Sequence, residues 1–438
     1  MYLRKVHIEN IRSIAKLDWE IPKGKEAGWH VVIGDNGSGK TTFMRAAALA
    51  LIGDQEAIAL REGWREWVRN GEDTGLVEVE LISRSGSVES YAIGLSRESK
   101  FPWTITNDDW LDVQDDTELD GDFDDSFWDS PIGTVGEFSA AYGPFRRFSG
   151  GDQDSQEIFQ NNPRLGAHLS IFDEKFALTE ALKWLHDLDY RKAKQQPEGE
   201  LLDRVKAFVS QEGFLPHHAK LTDISPDAVV FTDGDGKQVP IEELSDGYRS
   251  ILSMTFELIR QMSAVFKPEQ IFSTDDSSKI IAPGVVLIDE VDAHLHPTWQ
   301  RRIGLWFREH FPNIQFIVTT HSPLVCQAAD TVFRLPAPGS EEQAGMVTGI
   351  ALQRLLYGDV LDAYGTALFG EDVGRSERGK EMMKELAELN VKEVNLGLSK
   401  TERARQQKLR AAFPSIPYKP LLETTKAATN GRRKENKK

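Results

Sequence analysis

Cysteine is almost absent from this 438-residue chain. Cys326 stands alone, which excludes an intrachain disulfide and any zinc cage built on cysteines, and it reads as a small buried hydrophobe. Long apolar runs are missing too, and none approaches the about 20 residues that a membrane-spanning helix needs. The opening Met1-Tyr2-Leu3-Arg4-Lys5 lacks the apolar stretch of a secretion signal. The expectation is a cytoplasmic protein with no membrane partner. Internal repeats and sustained heptads are absent as well, so neither a solenoid nor a long coiled coil is expected. Positive charge is scarce: the net charge is −17, which argues at first against a phosphate-rich partner. Residues 107–129, however, hold 11 Asp or Glu and no Lys or Arg. One acidic segment, read as a solvated loop or insertion, therefore makes most of the imbalance.

What is present begins with 40% apolar residues, enough to bury a large core. The opening reads as strands over Leu3–Ile8, Leu17–Ile21 and Trp29–Ile33, followed by a helix over Thr42–Leu51 rich in Ala and Leu. A hairpin is expected from Leu76–Ile82 and Val88–Gly94 around Ser85-Gly86-Ser87. The spans Leu165–Tyr190 and Leu201–Phe208 read as helical, joined by the connector Gln195–Gly199. The turn Asp233-Gly234-Asp235-Gly236 predicts a second hairpin between Val229–Thr232 and Lys237–Ile241. Alternating α and β signals then resume: a helix Tyr248–Met262, a strand Val285–Ile288, a helix Thr298–His310, and strands Ile314–Thr319 and Val332–Leu335. Helices over Glu377–Leu389 and Lys400–Ala412 follow. The end, Lys426–Lys438, has six Lys or Arg, one Glu and no apolar period, as a disordered basic tail would.

Chemistry concentrates in four places. Gly34-Asp35-Asn36-Gly37-Ser38-Gly39-Lys40-Thr41 lies between a predicted strand and a predicted helix, the setting a phosphate-binding loop requires. Gly34, Gly37 and Gly39 let backbone N–H groups turn inward around a phosphate, Lys40 adds a mobile positive charge, and the Thr41 hydroxyl suits magnesium. The helix start contributes its partial positive charge. Val285-Val286-Leu287-Ile288-Asp289-Glu290 reads as a strand buried on both faces that ends in two carboxylates. Asp289 suits the magnesium shell, and Glu290 suits an attacking water. Thr319-Thr320-His321-Ser322 ends the next strand, which places His321 in the same crevice outside the strand carboxyl ends, as a sensor of the terminal phosphate. In Leu244-Ser245-Asp246-Gly247-Tyr248-Arg249, Ser245 can cap a helix and Gly247 permits close approach of an anion.

In this order the motifs resemble the ABC-type ATPases of the SMC, RecF and OLD group, over residues 1–55 and 240–335. The resemblance implies an α/β P-loop NTPase fold: an ABC-type ATPase head with a mixed sheet and an inserted helical subdomain, plus a helical C-terminal region. The head is expected over 1–335, with core lobes of about 1–100 and 225–335 and an insertion of about 101–224. A helical region (336–425) and a basic tail (426–438) follow. The resemblance also implies ATP contacts from Asn36, Gly37, Ser38, Gly39, Lys40, Thr41, Thr42, Ser245 and Gly247. Magnesium falls to Thr41 and Asp289, and catalysis to Glu290, His321 and Lys40. Because two such heads sandwich ATP, Ser245 and Gly247 of one copy are expected to meet Lys40 of another in a dimer or higher even oligomer. The chain departs from the family in two ways. Asp246 stands where a glycine usually follows the serine, and the glutamine that joins magnesium to the insertion has only Gln153, Gln156 and Gln160 as candidates.

More narrowly, Tyr142-Gly143-Pro144-Phe145-Arg146-Arg147-Phe148, Leu244–Ser250 and Asp289-Glu290-Val291-Asp292-Ala293-His294-Leu295-His296-Pro297 resemble the ATPase subunit of Septu-type antiphage systems, including those attached to retrons. This implies an ATPase sensor or switch in antiviral defence that controls a separate nuclease subunit, of HNH type, with nucleic acid, including retron RNA or DNA, as a further partner. His294 and His296 match the family's subunit-contact loop rather than a metal site. Arg146 and Arg147 are open between phosphate or nucleic-acid contact and a structural ion pair. Two other readings remain: a DNA-repair or chromosome-maintenance ATPase that binds DNA directly, and an ATP-binding scaffold with negligible turnover.

Overall fold

A computed structural model describes residues 1–60, 62–83, 86–105, 138–145, 162–173, 180–211, 214–215, 219–225, 228–359, 368–369 and 376–412. The acidic 107–129 segment, Arg146, Arg147, Gln153, Gln156, Gln160 and the Lys426–Lys438 tail lie outside the described residues. The chain divides into two compact units, Met1–Glu371 and Asp372–Lys438.

Within the first unit, β1 (Tyr2–Ile11), β2 (Ile14–Glu20), β4 (Thr74–Ile82), β5 (Val88–Ser96) and β6 (Trp103–Thr104) form an antiparallel sheet in the order β2-β1-β4-β5-β6. The expected hairpin around Gly86 is the β4–β5 pair, with Ile82 opposite Val88. A second sheet runs β14-β13-β3-β12-β11-β7, made of β3 (Gly28–Ile33), β7 (Ser139–Tyr142), β11 (Gly284–Ile288), β12 (Ile314–Thr319), β13 (Thr331–Arg334) and β14 (Gly345–Met346). Its members pair in parallel except β14, so the sheet is mixed. A small third sheet joins β8 (Lys220–Ile224), β9 (Val229–Thr232) and β10 (Gln238–Pro240).

The apolar run Val285–Ile288 has a simple cause: helices cover the central sheet on both faces, so every position along β11 is buried. Alternate side chains serve different cores. Val285 and Leu287 join the cluster around the helix Lys40–Ile52. Val286 and Ile288 join the cluster around the helices Asp246–Val265 and Pro297–His310. The two sheets are tied by Gln315, which is fully buried on β12. Its carboxamide accepts from the Leu3 N–H at 2.6 Å and donates to the Leu3 carbonyl at 2.7 Å, satisfying a buried polar group with backbone on the neighbouring sheet.

Several elements lie outside the expected pattern, β6 and β14 among them. Ser139–Tyr142 falls inside the span read as an insertion, yet it pairs in parallel with β11 as an edge strand of the central sheet. Lys220–Ile224 adds a third strand to the expected Val229–Thr232 hairpin. The described residues of the second unit form a helical hairpin, Glu377–Asn395 and Lys400–Ala412, joined by Arg405 to Glu385 at 2.8 and 2.6 Å and by Gln406 to Asn390 at 2.9 Å. Among the described residues no helix is long and apolar enough to cross a membrane.

Candidate functional site

The phosphate-loop segment joins β3 to the Lys40–Ile52 helix, as the sequence reading expects. Gly37 and Gly39 have φ of 78° and 98°, a region L side chains rarely enter. A Cβ on Gly39 would also lie 3.0 Å from Ser13 Oγ, and one on Gly34 would lie 2.5 Å from Ser38 Oγ. Asn36 and Gly37 are exposed, whereas Lys40 is buried at 6% exposure. The Lys40 ammonium donates to the Gly34 and Asp35 carbonyls at 2.8 and 2.9 Å. Burial lowers its pKa, while Asp289, Glu290, Asp35 and Asp292 act in the opposite direction. The Ser38 hydroxyl is buried and has no hydrogen-bond partner among the described residues. A left-handed glycine loop, a lysine aimed along it and an unsatisfied hydroxyl fit a bound phosphate chain.

Asp289 is the hub. It is buried at 1% exposure, and Thr41 Oγ1 donates to its Oδ2 at 2.7 Å. Thr319 Oγ1 donates to its Oδ1 at 2.5 Å, while its own backbone N–H donates to the Tyr142 carbonyl at 2.8 Å. Thr319 Oγ1 also accepts from the Glu290 N–H at 2.7 Å. Glu290, half-buried, has φ of 47°, a costly setting for a non-glycine residue that its surroundings must enforce. Thr41 and Asp289 bring two hard oxygen donors together beside the loop, which fits magnesium, an ion that takes one or two protein oxygens and fills its other positions with water and phosphate.

The structure thus brings Lys40, Thr41, Asp289 and Glu290 together. Thr42 is buried on the same helix, and His321 is exposed just past the end of β12. Ser245 and Gly247 sit on a different element from those four residues. Ser245 occupies the N-cap position of the Asp246–Val265 helix, is exposed, and makes no side-chain cap bond. Asp246, at the first position of the helix, pairs with Arg249. Both Ser245 and Gly247 line a cleft of about 610 Å³ with Tyr248, His294, Leu295, His296, Trp299 and Arg302. A Cβ on Gly247 would lie 3.1 Å from the His294 carbonyl, so glycine sets how closely this helix meets the loop after Glu290. Among the described residues no group of three or more His, Cys, Asp or Glu could hold a metal. His296 instead accepts from the Thr298 N–H at the start of the next helix.

Sequence reading missed the residues that orient the site. In the sequence Thr319 and Thr320 stand out only as neighbours of His321, yet Thr319 serves both carboxylate residues, and Thr320 Oγ1 donates to Asp292 Oδ1 at 2.5 Å. Ser322 continues the set by donating to Gln300 at 2.7 Å. Two hydroxyls following an apolar strand were the available signal. Thr319→Val, of the same shape, removes the donor to Asp289 and the acceptor for Glu290 N–H in a dry setting. It is expected to cost about 1–3 kcal/mol, read as a lower thermal midpoint, while Thr319→Ser keeps most of the native value. A Val variant as stable as the native chain contradicts this reading of Thr319.

Comparison with known proteins places residues 30–327 on the sequence profile of the AAA_21 family, described as "AAA domain, putative AbiEii toxin, Type IV TA system". The chain is 27% identical over 336 residues to the Septu protein PtuA of Bacillus mycoides (strain KBAB4), covering 74% of this chain and 38% of that protein. It is 36% identical over 118 residues to the "Retron Ec83 probable ATPase" of Escherichia coli, covering 27% of this chain and 20% of that protein. The chain therefore spans well under two thirds of either relative's length. Among solved structures, the SMC head bound to the C-winged helix domain of ScpA is 17% identical with a TM-score of 0.48, covering 79% of this chain and 98% of that one.

Proposed function

This chain belongs to the AAA_21 family of P-loop ATPases, and on that premise we propose that it is the ATP-hydrolysing switch subunit of an antiphage defence complex. In this reading two copies close around shared ATP sites and thereby control a separate nuclease, of HNH type by its resemblance to the Septu and retron ATPases, with nucleic acid reached through the complex. Nucleotide binding follows from the family. The likeness to the Septu protein PtuA and to the retron ATPase supports the defence setting.

One observation carries the mechanism. Lys40, Thr41, Asp289 and Glu290 converge on one hub, while Ser245 and Gly247 sit at another helix start in a separate cleft. Each copy then offers two half-sites, which closed twofold pairing joins. Lys40 leaves the Gly34 and Asp35 carbonyls to meet the β- and γ-phosphates. Thr41 and Asp289 would hold magnesium, which would supply positive charge to neutralise the phosphate chain. Glu290, set by its bond to Thr319, polarises the attacking water and takes its proton. Ser245 and the backbone at Gly247 of the second copy donate to the γ-phosphate, and His321 senses it from the strand end.

Mixing two inactive variants tests this. Lys40→Ala and Ser245→Arg chains are each expected to be inactive alone. Mixed in equal amounts, half the dimers are mixed and each mixed dimer carries one intact site, so phosphate release returns to about a quarter of the native rate. A mixture as inactive as its components overturns the shared site. Purification of the native complex tests the defence assignment, which fails if no nuclease subunit accompanies the chain.

A further inference from the structure

The helix that begins at Ser245 also carries, about 18–24 Å further along at ~1.5 Å per residue, a polar network that the chemistry above does not use. Glu257 is fully buried. Arg260 donates to both of its oxygens, at 2.8 and 2.5 Å, a forked arrangement that compensates the buried charge. Gln261 Nε2 donates to the same carboxylate at 2.8 Å, and Gln261 Oε1 accepts from the Tyr142 hydroxyl at 3.0 Å. Tyr142 is the last residue of β7 and pairs with Ile288, and its backbone carbonyl is the acceptor for the Asp289 N–H. A chain of hydrogen bonds therefore runs from the Ser245-bearing helix through one side chain of β7 to the backbone of the hub residue. Burial, with nearby Glu257, raises the Tyr142 pKa well above its ordinary value, so the phenol stays a donor.

The surroundings give the network its meaning. Ile251, Leu252, Met254, Phe256, Leu258 and Ile259 pack the same helix into an apolar core. Apolar contact is non-directional and tolerates small rotation of a helix on a sheet, whereas hydrogen bonds fix an angle. An apolar set would fill this space without the desolvation of an ion pair. We propose that Tyr142, Gln261, Glu257 and Arg260 are positioning residues that lock the setting of the Ser245-bearing helix to the strand end carrying Asp289, coupling nucleotide at one half-site to the presentation of the other within a single chain. This rests on the ATP-site reading above.

The test uses the full chain with Ser245→Arg, in which no Ser245 half-site can meet nucleotide held by a second copy, and reads hydrogen exchange of the Arg249–Phe256 amides with and without ATP. ATP is expected to slow exchange there at least threefold, and both Tyr142→Phe and Gln261→Met are expected to abolish the response while ATP affinity stays within about twofold. In the otherwise native chain, Tyr142→Phe lowers kcat about tenfold at unchanged KM, and combined with Ser245→Ala it adds little to the loss from Ser245→Ala alone. The proposal is overturned if ATP leaves the helix unaffected, if the response survives in both variants, or if the two losses simply add. A chain that binds no ATP at all overturns the ATP-site reading itself.

Discussion

Lys40→Ala is expected to raise the dissociation constant for ATP by at least about a hundredfold and to abolish turnover. The ammonium is buried to 6% exposure and bonded to the Gly34 and Asp35 carbonyls. Burial pulls its pKa down, but Asp289, Glu290, Asp35 and Asp292 act against that. Transferring its donors to two phosphate oxygens makes charge-assisted bonds of about 1.5–3 kcal/mol each. Losing both corresponds to roughly two to four decades of affinity at ~1.4 kcal/mol per decade. The lost loop contacts involve exposed backbone in part, so the fold should persist. Titration of ATP into the purified variant by calorimetry reads the affinity directly, and a constant within threefold of the native one would remove Lys40 from the site.

Glu290→Gln separates binding from chemistry. Glutamine has the same shape and keeps the backbone bond to Thr319 and the φ of 47° that aim the residue, but it cannot take a proton. General-base loss typically costs about 10²–10⁴-fold, so phosphate release is expected to fall by at least two decades with ATP affinity within about threefold of native. Paired copies should then accumulate in ATP, which size-exclusion chromatography would show. If native and variant chains bind ATP tightly and are equally inert, the protein is an ATP-dependent scaffold and the hydrolysis claim fails.

The two predictions differ in what they owe to sequence. Lys40 and the glycines around it are read directly, because a phosphate loop is a continuous segment whose chemistry depends on backbone conformation and adjacent side chains. The local setting, β3 then loop then the Lys40–Ile52 helix, agrees with the structure to within two residues. The strand before Asp289 is legible for a similar reason: four consecutive apolar residues report burial on both faces. Thr319 was not legible as a partner of Asp289, because its bond spans 30 positions in sequence and no local period encodes it. The strand Ser139–Tyr142 was hidden too. Four residues without alternation carry little signal, and their burial comes from pairing with β11.

By itself the sequence determined the pieces: a phosphate loop opening a helix, an apolar strand closing on Asp289 and Glu290, a helix start at Ser245, and a fold that alternates strands and helices. These are properties of short segments, where propensity, glycine freedom and apolar period act over a few residues. Only the tertiary structure decided which pieces meet. It set Thr41 and Thr319 on the two oxygens of Asp289, joined Gln315 to Leu3 across two sheets, linked Tyr142 to Gln261, and left Ser245 in a cleft with Trp299. The reason is physical: buried polar groups take partners wherever packing of the whole core delivers them, and that location is not a property of any one segment.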